Sequence, residues 1–190
     1  MTVTDTTSRQ QLPTTRCRRI VVVGTAGSGK TTLAQSISER LAIPHVELDA
    51  LFWGPNWTPA PIEDFRRRIA QALEGQTWVA DGNYSAVRDV VWGRADSVVW
   101  LDYALPVIMR QLVRRTFRRV VRREELWNDN RERAWVQLFS RDSLFLWALQ
   151  TYPRRRREYP LLFERPEYAH LAVVHLRSPQ ATRDWLETLR

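Results

Sequence analysis

Gly24, Thr25, Ala26, Gly27, Ser28, Gly29, Lys30 and Thr31 match G-x-x-x-x-G-K-[ST] at every fixed position, and Thr32 adds a second hydroxyl directly behind the motif. Glycines at this spacing let the backbone wrap a phosphate, so that consecutive N–H groups and the start of the following helix point at its oxygens. Lys30 is then placed to bridge the β- and γ-phosphates of a nucleotide, and the Thr31 hydroxyl to coordinate Mg²⁺. The chain has 29 basic residues, and Lys30 is its only lysine. A compact ammonium on a flexible stem suits this position, where the wide planar fork of arginine does not fit.

Three aspartates follow apolar runs: Asp49 after "IPHVEL", Asp81 after "TWVA" and Asp102 after "SVVWL". Trp53, Trp57, Asn83, Tyr84 and Arg88 lie on the neighbouring segments and offer stacking surfaces and polar handles for a phosphate acceptor. Arginines form two rows, Arg110, Arg114, Arg118 and Arg122 beside Arg115, Arg119 and Arg123, which makes one broad helix face cationic. A solvated face is the default reading, and phosphates that neutralise part of the row are the functional one.

These residues need elements to hold them. "IVVVG" is a β-branched run typical of a strand covered on both faces, and "KTTLAQSISERLA" carries Leu33, Ile37 and Leu41 at helical spacing. Further strands are expected to end at Asp49, Asp81 and Asp102, with a fifth in "HLAVVHLRS". Helices are expected near 61–74, over an arginine-rich region at about 105–158, and at the terminus around Trp185 and Leu186. Strands alternating with helices imply a parallel sheet covered on both sides, whose ligands bind at the carboxyl ends of the strands. The three aspartates fall there.

The phosphate loop, "LDALFWGPNW", "VADGNYS" and the arginine-rich segment before the fifth strand together resemble the nucleoside monophosphate kinase group of P-loop proteins. Within that group the chain is most similar to the adenylate-kinase-related proteins sometimes labelled DNA topology modulation proteins. The resemblance implies a three-layer α/β fold with a five-stranded parallel sheet in the order 2-3-1-4-5. It implies an acceptor-side segment at 49–75 and a helical, arginine-rich lid at about 118–153. "VADGNYS" is similar to the turn whose aspartate holds Mg²⁺ through water, which gives that role to Asp81, with Asp102 as the competitor. Asp49 resembles the acidic residue that orients or deprotonates the acceptor hydroxyl, and its alternative is an N-cap. The lid implies phosphate contacts from Arg118, Arg122, Arg131 and Arg141, and the loop around the base implies Ser178 and Pro179. ATP and Mg²⁺ are the implied substrate and cofactor. "LDALFWGPNW" stands where adenylate kinases have their monophosphate-binding helix, so the acceptor is either a nucleoside monophosphate or another hydroxyl compound.

At 190 residues with 44% hydrophobic content, the chain is expected to form one domain over residues 17–190 behind a tail at 1–16. No apolar run reaches the roughly 18 residues of a membrane span. Cys17 is alone, so a reducing, cytoplasmic location is expected. A net charge of +8 suits polyanionic partners of several kinds. It keeps a nucleic-acid-associated P-loop ATPase as the alternative to a kinase, although no helix-turn-helix, zinc-finger or RNP-like pattern supports one. A nucleotide-binding regulator with little turnover is the third reading.

Overall fold

The computed structural model describes residues 18–122 and 144–189, so the expected tail, Cys17 and most of the expected lid lie outside the described residues. Five parallel strands form one sheet: β1 (Arg19–Gly24), β2 (His45–Glu47), β3 (Trp78–Asp81), β4 (Ser97–Leu101) and β5 (Ala172–Leu176). Their order is β2-β3-β1-β4-β5, as the resemblance implied. The helices are α1 (Lys30–Leu41), α2 (Leu48–Phe52), α3 (Ile62–Ala72), α4 (Arg88–Arg94), α5 (Leu105–Arg122), α6 (Leu144–Phe163) and α7 (Pro179–Thr188).

Period-two alternation divides each strand between two cores. Ile20, Val22, Val79, Val99 and Leu101 pack on one side with Leu33 and Ile37 of α1 and Ile108 and Leu112 of α5. Val21, Val23, Trp78, Ala80, Val98 and Trp100 pack on the other with Phe65 and Ile69 of α3, Trp92 of α4 and Tyr159 of α6. A sheet covered in this way is why its strands read as continuous apolar runs. The register pairs Glu47 and Val22 with Asp81, and Gly24 with Leu101, which brings the carboxyl ends to one edge.

Two boundaries differ from the sequence expectation. β2 stops at Glu47, and Asp49 lies in the first turn of α2. The cause is Leu48, which is 2% exposed and packs against Gly82, where an added Cβ would sit 2.8 Å from the Leu48 Cβ. The chain turns to bury that leucine. α6 continues to Phe163, past the expected end of the arginine-rich region, and remains helical across Pro153 and Pro160.

Candidate active site

The phosphate loop joins β1 to α1, and its conformation depends on glycine. Gly27 has φ 83°, and a Cβ there would lie 2.3 Å from the Leu112 Cγ, so α5 closes directly on the loop. Gly29 precedes α1 without a side-chain cap, which leaves the first-turn N–H groups to a ligand. Ser28 is 1% exposed, and its hydroxyl has no hydrogen-bond partner among the described residues. A buried orphan hydroxyl is costly unless a ligand satisfies it. Thr32 is exposed just behind the loop, and Ala26 packs against the core beneath it.

Two of the three aspartates part company here. The Thr31 hydroxyl donates to Asp81 Oδ2 at 2.7 Å, and His45 Nε2 lies 2.8 Å from Asp81 Oδ1. Asp102 is held elsewhere, 2.9 Å from Arg156 Nε and 3.0 Å from His175 Nε2, with the His175 ring stacked on Trp100. The carboxylate at the phosphate loop is therefore Asp81. His45 was not foreseen; its place on β2 beside Asp81 depends on strand pairing.

Asp49 is tied to the neighbouring cleft through Tyr84. Glu47, not Asp49, occupies the N-cap of α2, and the Tyr84 hydroxyl donates to Asp49 Oδ1 at 2.6 Å. Burial, and then the Asp49 charge, push the Tyr84 phenol far above its ordinary pKa, while a hydrogen bond from Trp53 pulls the other way. Rings run outward from Tyr84 through Phe52 and Trp53 to Trp57 at centroid spacings of 4.8, 4.8 and 5.8 Å. Trp57 is 36% exposed, on a turn closed by the Gly54 N–H donating to the Thr58 carbonyl. Asn83 fastens the cleft to the phosphate loop. It accepts from the Gly24 N–H, donates to the Gly24 carbonyl, and accepts from the Tyr159 hydroxyl at 3.0 Å. Leu48, Tyr84, Arg88, Trp92 and Tyr159 line the cleft with it.

Two arginines outside the expected phosphate-contact set, Arg155 and Arg115, act on Lys30. Lys30 is half-buried with its amine 3.4 Å from the Thr25 carbonyl. Desolvation, followed by the charge of Arg155, lowers its pKa from 10.5 to about 8. Arg155 of α6 donates to the Gly24 carbonyl at 3.4 Å, and burial lowers its own pKa. Arg115 of α5 also acts on Lys30. Arg118 is exposed on α5, whereas the Arg122 side chain, Arg131 and Arg141 lie outside the described residues. Ser178 accepts from the Ala181 N–H at 3.1 Å as the N-cap of α7, and Pro179 is that helix's first residue.

Among the described residues, no group of three or more His, Cys, Asp or Glu gathers around a metal position. No helix among them is long and apolar enough to cross a membrane.

The loop, the sheet order and the converging cations define a P-loop NTPase with a kinase-like fold. The chain belongs to the NACHT domain family, whose pattern matches residues 18–186. No curated protein matches it. Among solved structures it is similar to shikimate kinase from Acinetobacter baumannii in complex with shikimate, at 16% identity and TM-score 0.55 over 93% of this chain and 94% of that one. It is also similar to a gluconokinase from Sinorhizobium meliloti, at 20% identity and TM-score 0.51 over 90% and 91%. An unliganded sugar kinase from Janibacter sp. matches at 24% identity and TM-score 0.50 over 91% and 94%. These likenesses define the fold. The narrower resemblance to adenylate-kinase-related proteins rests on the sequence motifs alone.

Proposed function

We propose that this protein is a Mg²⁺-dependent kinase that transfers the γ-phosphoryl group of ATP to a hydroxyl of a small acceptor. The observation that carries the reading is that two carboxylates with different partners both act on Lys30. Asp81 bonds the loop hydroxyl of Thr31, while Asp49 accepts from Tyr84 of the adjoining cleft. Both charges act on the Lys30 ammonium, so nucleotide and acceptor would meet beside it. The neighbours named for sugar, shikimate and gluconate kinases support a small hydroxyl compound as acceptor.

The residues present fit Mg²⁺. Thr31 and Asp81 offer oxygen donors, and the orphaned Ser28 hydroxyl marks a place for a phosphate oxygen. Mg²⁺ takes few protein ligands and keeps waters and substrate phosphates, so it needs no larger carboxylate cluster. When bound, it would neutralise charge on the β- and γ-oxygens.

In transfer, the acceptor oxygen bonds to the γ-phosphorus as the bridging β–γ P–O bond breaks, and ADP departs. The hydroxyl proton passes to Asp49 or solvent. Asp49 orients the hydroxyl, and Tyr84 fixes the carboxylate. Lys30, Arg155 and Arg115 meet the charge spread over the transferred group. The test is incubation with γ-labelled ATP and a panel of nucleotides, sugars, polyols, hydroxy acids and amino alcohols, read by mass spectrometry. Phosphorylated product that disappears in Lys30→Ala supports the reading, and its absence across the panel refutes it.

A further inference from the structure

Asp81 ends β3 with both of its carboxylate oxygens engaged. Oδ2 accepts from the Thr31 hydroxyl at 2.7 Å, and Oδ1 lies 2.8 Å from His45 Nε2. The strand register sets up the second contact. β2 and β3 pair His45 with Val79 and Glu47 with Asp81, so the imidazole reaches one residue pair forward along the sheet. Both side chains are nearly enclosed, His45 at 12% exposure and Asp81 at 6%. An ionised carboxylate only accepts, so Nε2 carries the proton and donates it to Oδ1.

A buried pair of this kind returns little stability compared with apolar side chains of the same volume. What it does fix is orientation. The second side-chain torsion of aspartate has a broad preference, so a carboxylate held at one oxygen can swing about that contact. Held at both oxygens, it keeps one plane. The contact on Oδ2 comes from Thr31, whose hydroxyl is itself offered to Mg²⁺. His45 stands on β2, outside the phosphate loop, so the anchor on Oδ1 does not depend on the hydroxyl that the metal draws on. Mg²⁺ tolerates little departure from octahedral geometry. Groups that orient a metal's ligands from behind commonly change its affinity by about 10- to 100-fold.

We propose that His45 is a positioning residue for Mg²⁺: its Nε2–H holds Asp81 Oδ1 and thereby sets the plane that the carboxylate presents to the metal or its waters. This rests on the reading of Thr31 and Asp81 as the Mg²⁺ side of the phosphate loop, and it extends that site to a residue on a different strand. No part of it depends on which acceptor is used.

The experiment uses the full chain with a non-hydrolysable ATP analogue, the protein in excess so that the nucleotide is bound, and Mn²⁺ as the probe for the Mg²⁺ position. Electron paramagnetic resonance counts free Mn²⁺ through the titration. His45→Leu, which fills the space without a donor, should raise the Kd for Mn²⁺ by about tenfold or more. His45→Asn, too short to reach Oδ1, should do the same, and it serves as the test if circular dichroism shows the leucine variant misfolded. His45→Gln carries an N–H close to the Nε2 position and should recover most of the affinity. Calorimetry with the analogue in EDTA should find metal-free nucleotide binding unchanged in all three. Mn²⁺ affinity unaffected by loss of the donor, an equal loss in the glutamine variant, a parallel loss of metal-free nucleotide binding, or no Mn²⁺ binding by the wild-type complex overturns the proposal. The kinase reading is separable because the titration contains no acceptor. Phosphoryl transfer with Mn²⁺ affinity indifferent to His45 ends this proposal and leaves the kinase standing, whereas His45-dependent Mn²⁺ binding without transfer to any acceptor does the reverse.

Discussion

Raising the pH should weaken ATP binding before it harms the fold. Desolvation lowers the Lys30 pKa from 10.5 to about 8 in the nucleotide-free protein, with the Arg155 charge as the second cause. A phosphate-bound ammonium is held in its charged form, so above about pH 8 each ATP that binds must take up a proton at Lys30. By linkage, the apparent Kd then rises by up to about tenfold per pH unit until the pH reaches the bound-state pKa. If that is the ordinary 10.5, the full rise approaches roughly 300-fold. Lys30's contribution to stability has the opposite sign. Between pH 8 and 10.5 the unfolded chain binds more protons at this lysine than the folded one, so its contribution to unfolding free energy increases with pH. Loss of affinity in that window is therefore not unfolding driven by this group. The assay is calorimetry with Mg²⁺ and a non-hydrolysable ATP analogue at pH 7 to 9.5, with buffers of different ionisation enthalpy to count protons. Constant affinity with no proton uptake at pH 9 would refute the reasoning.

The other predictions follow from single contacts. Arg155→Gln removes the second cause of the lowered Lys30 pKa, so the pH break should move upward, and turnover should fall by about 10³-fold if Arg155 meets the transferred charge. A fall in turnover without a moved break would show that Arg155 does not act through Lys30. Asp81→Asn should raise the Mg²⁺ concentration for half-maximal rate, whereas Asp49→Asn should lower kcat by roughly 10²- to 10⁴-fold with little change in metal dependence. Mg²⁺ titrations of both variants decide, and interchanged phenotypes would mean interchanged roles. Gly27→Ala places a Cβ against Leu112 at positive φ and should cost about 1–3 kcal/mol in a urea melt, and an unchanged midpoint would contradict the seat of α5 on the loop.

The sheet was legible because burial on two faces leaves a local signature. "IVVVG", "WVAD" and "SVVWL" became β1, β3 and β4 nearly as bounded from sequence, and the phosphate loop was readable because its pattern is contiguous. α2 was not readable. A five-residue helix has little stability of its own, and this one forms where Leu48 packs beneath Gly82, a contact between segments more than 30 residues apart. The bond from Thr31 to Asp81 and that from Tyr84 to Asp49 span 50 and 35 residues. The aspartates could be placed at strand ends, but only strand order could decide which one met the loop.

Arg115 and Arg155 were missed for a different reason, which their phase on the helix explains. The row Arg110, Arg114, Arg118 drew attention through its regularity, yet all three are exposed, as a repeating charge on an amphipathic helix ordinarily is. The arginines that reach Lys30 break the pattern. Arg115 continues the buried stripe of Ile108 and Leu112, and Arg155 falls between Ala148 and Tyr152 on one side and Tyr159 and Leu162 on the other. An arginine in phase with an apolar stripe must lose water, which is costly unless an anion or carbonyl awaits it. At the head of α1 that partner is in part the Gly24 carbonyl, and burial, followed by the Arg155 charge and to a smaller degree Arg115, lowers the Lys30 pKa. Clustered cations oppose folding unless anions relieve them, so Lys30, Arg155 and Arg115 together are what should make a nucleoside triphosphate bind there.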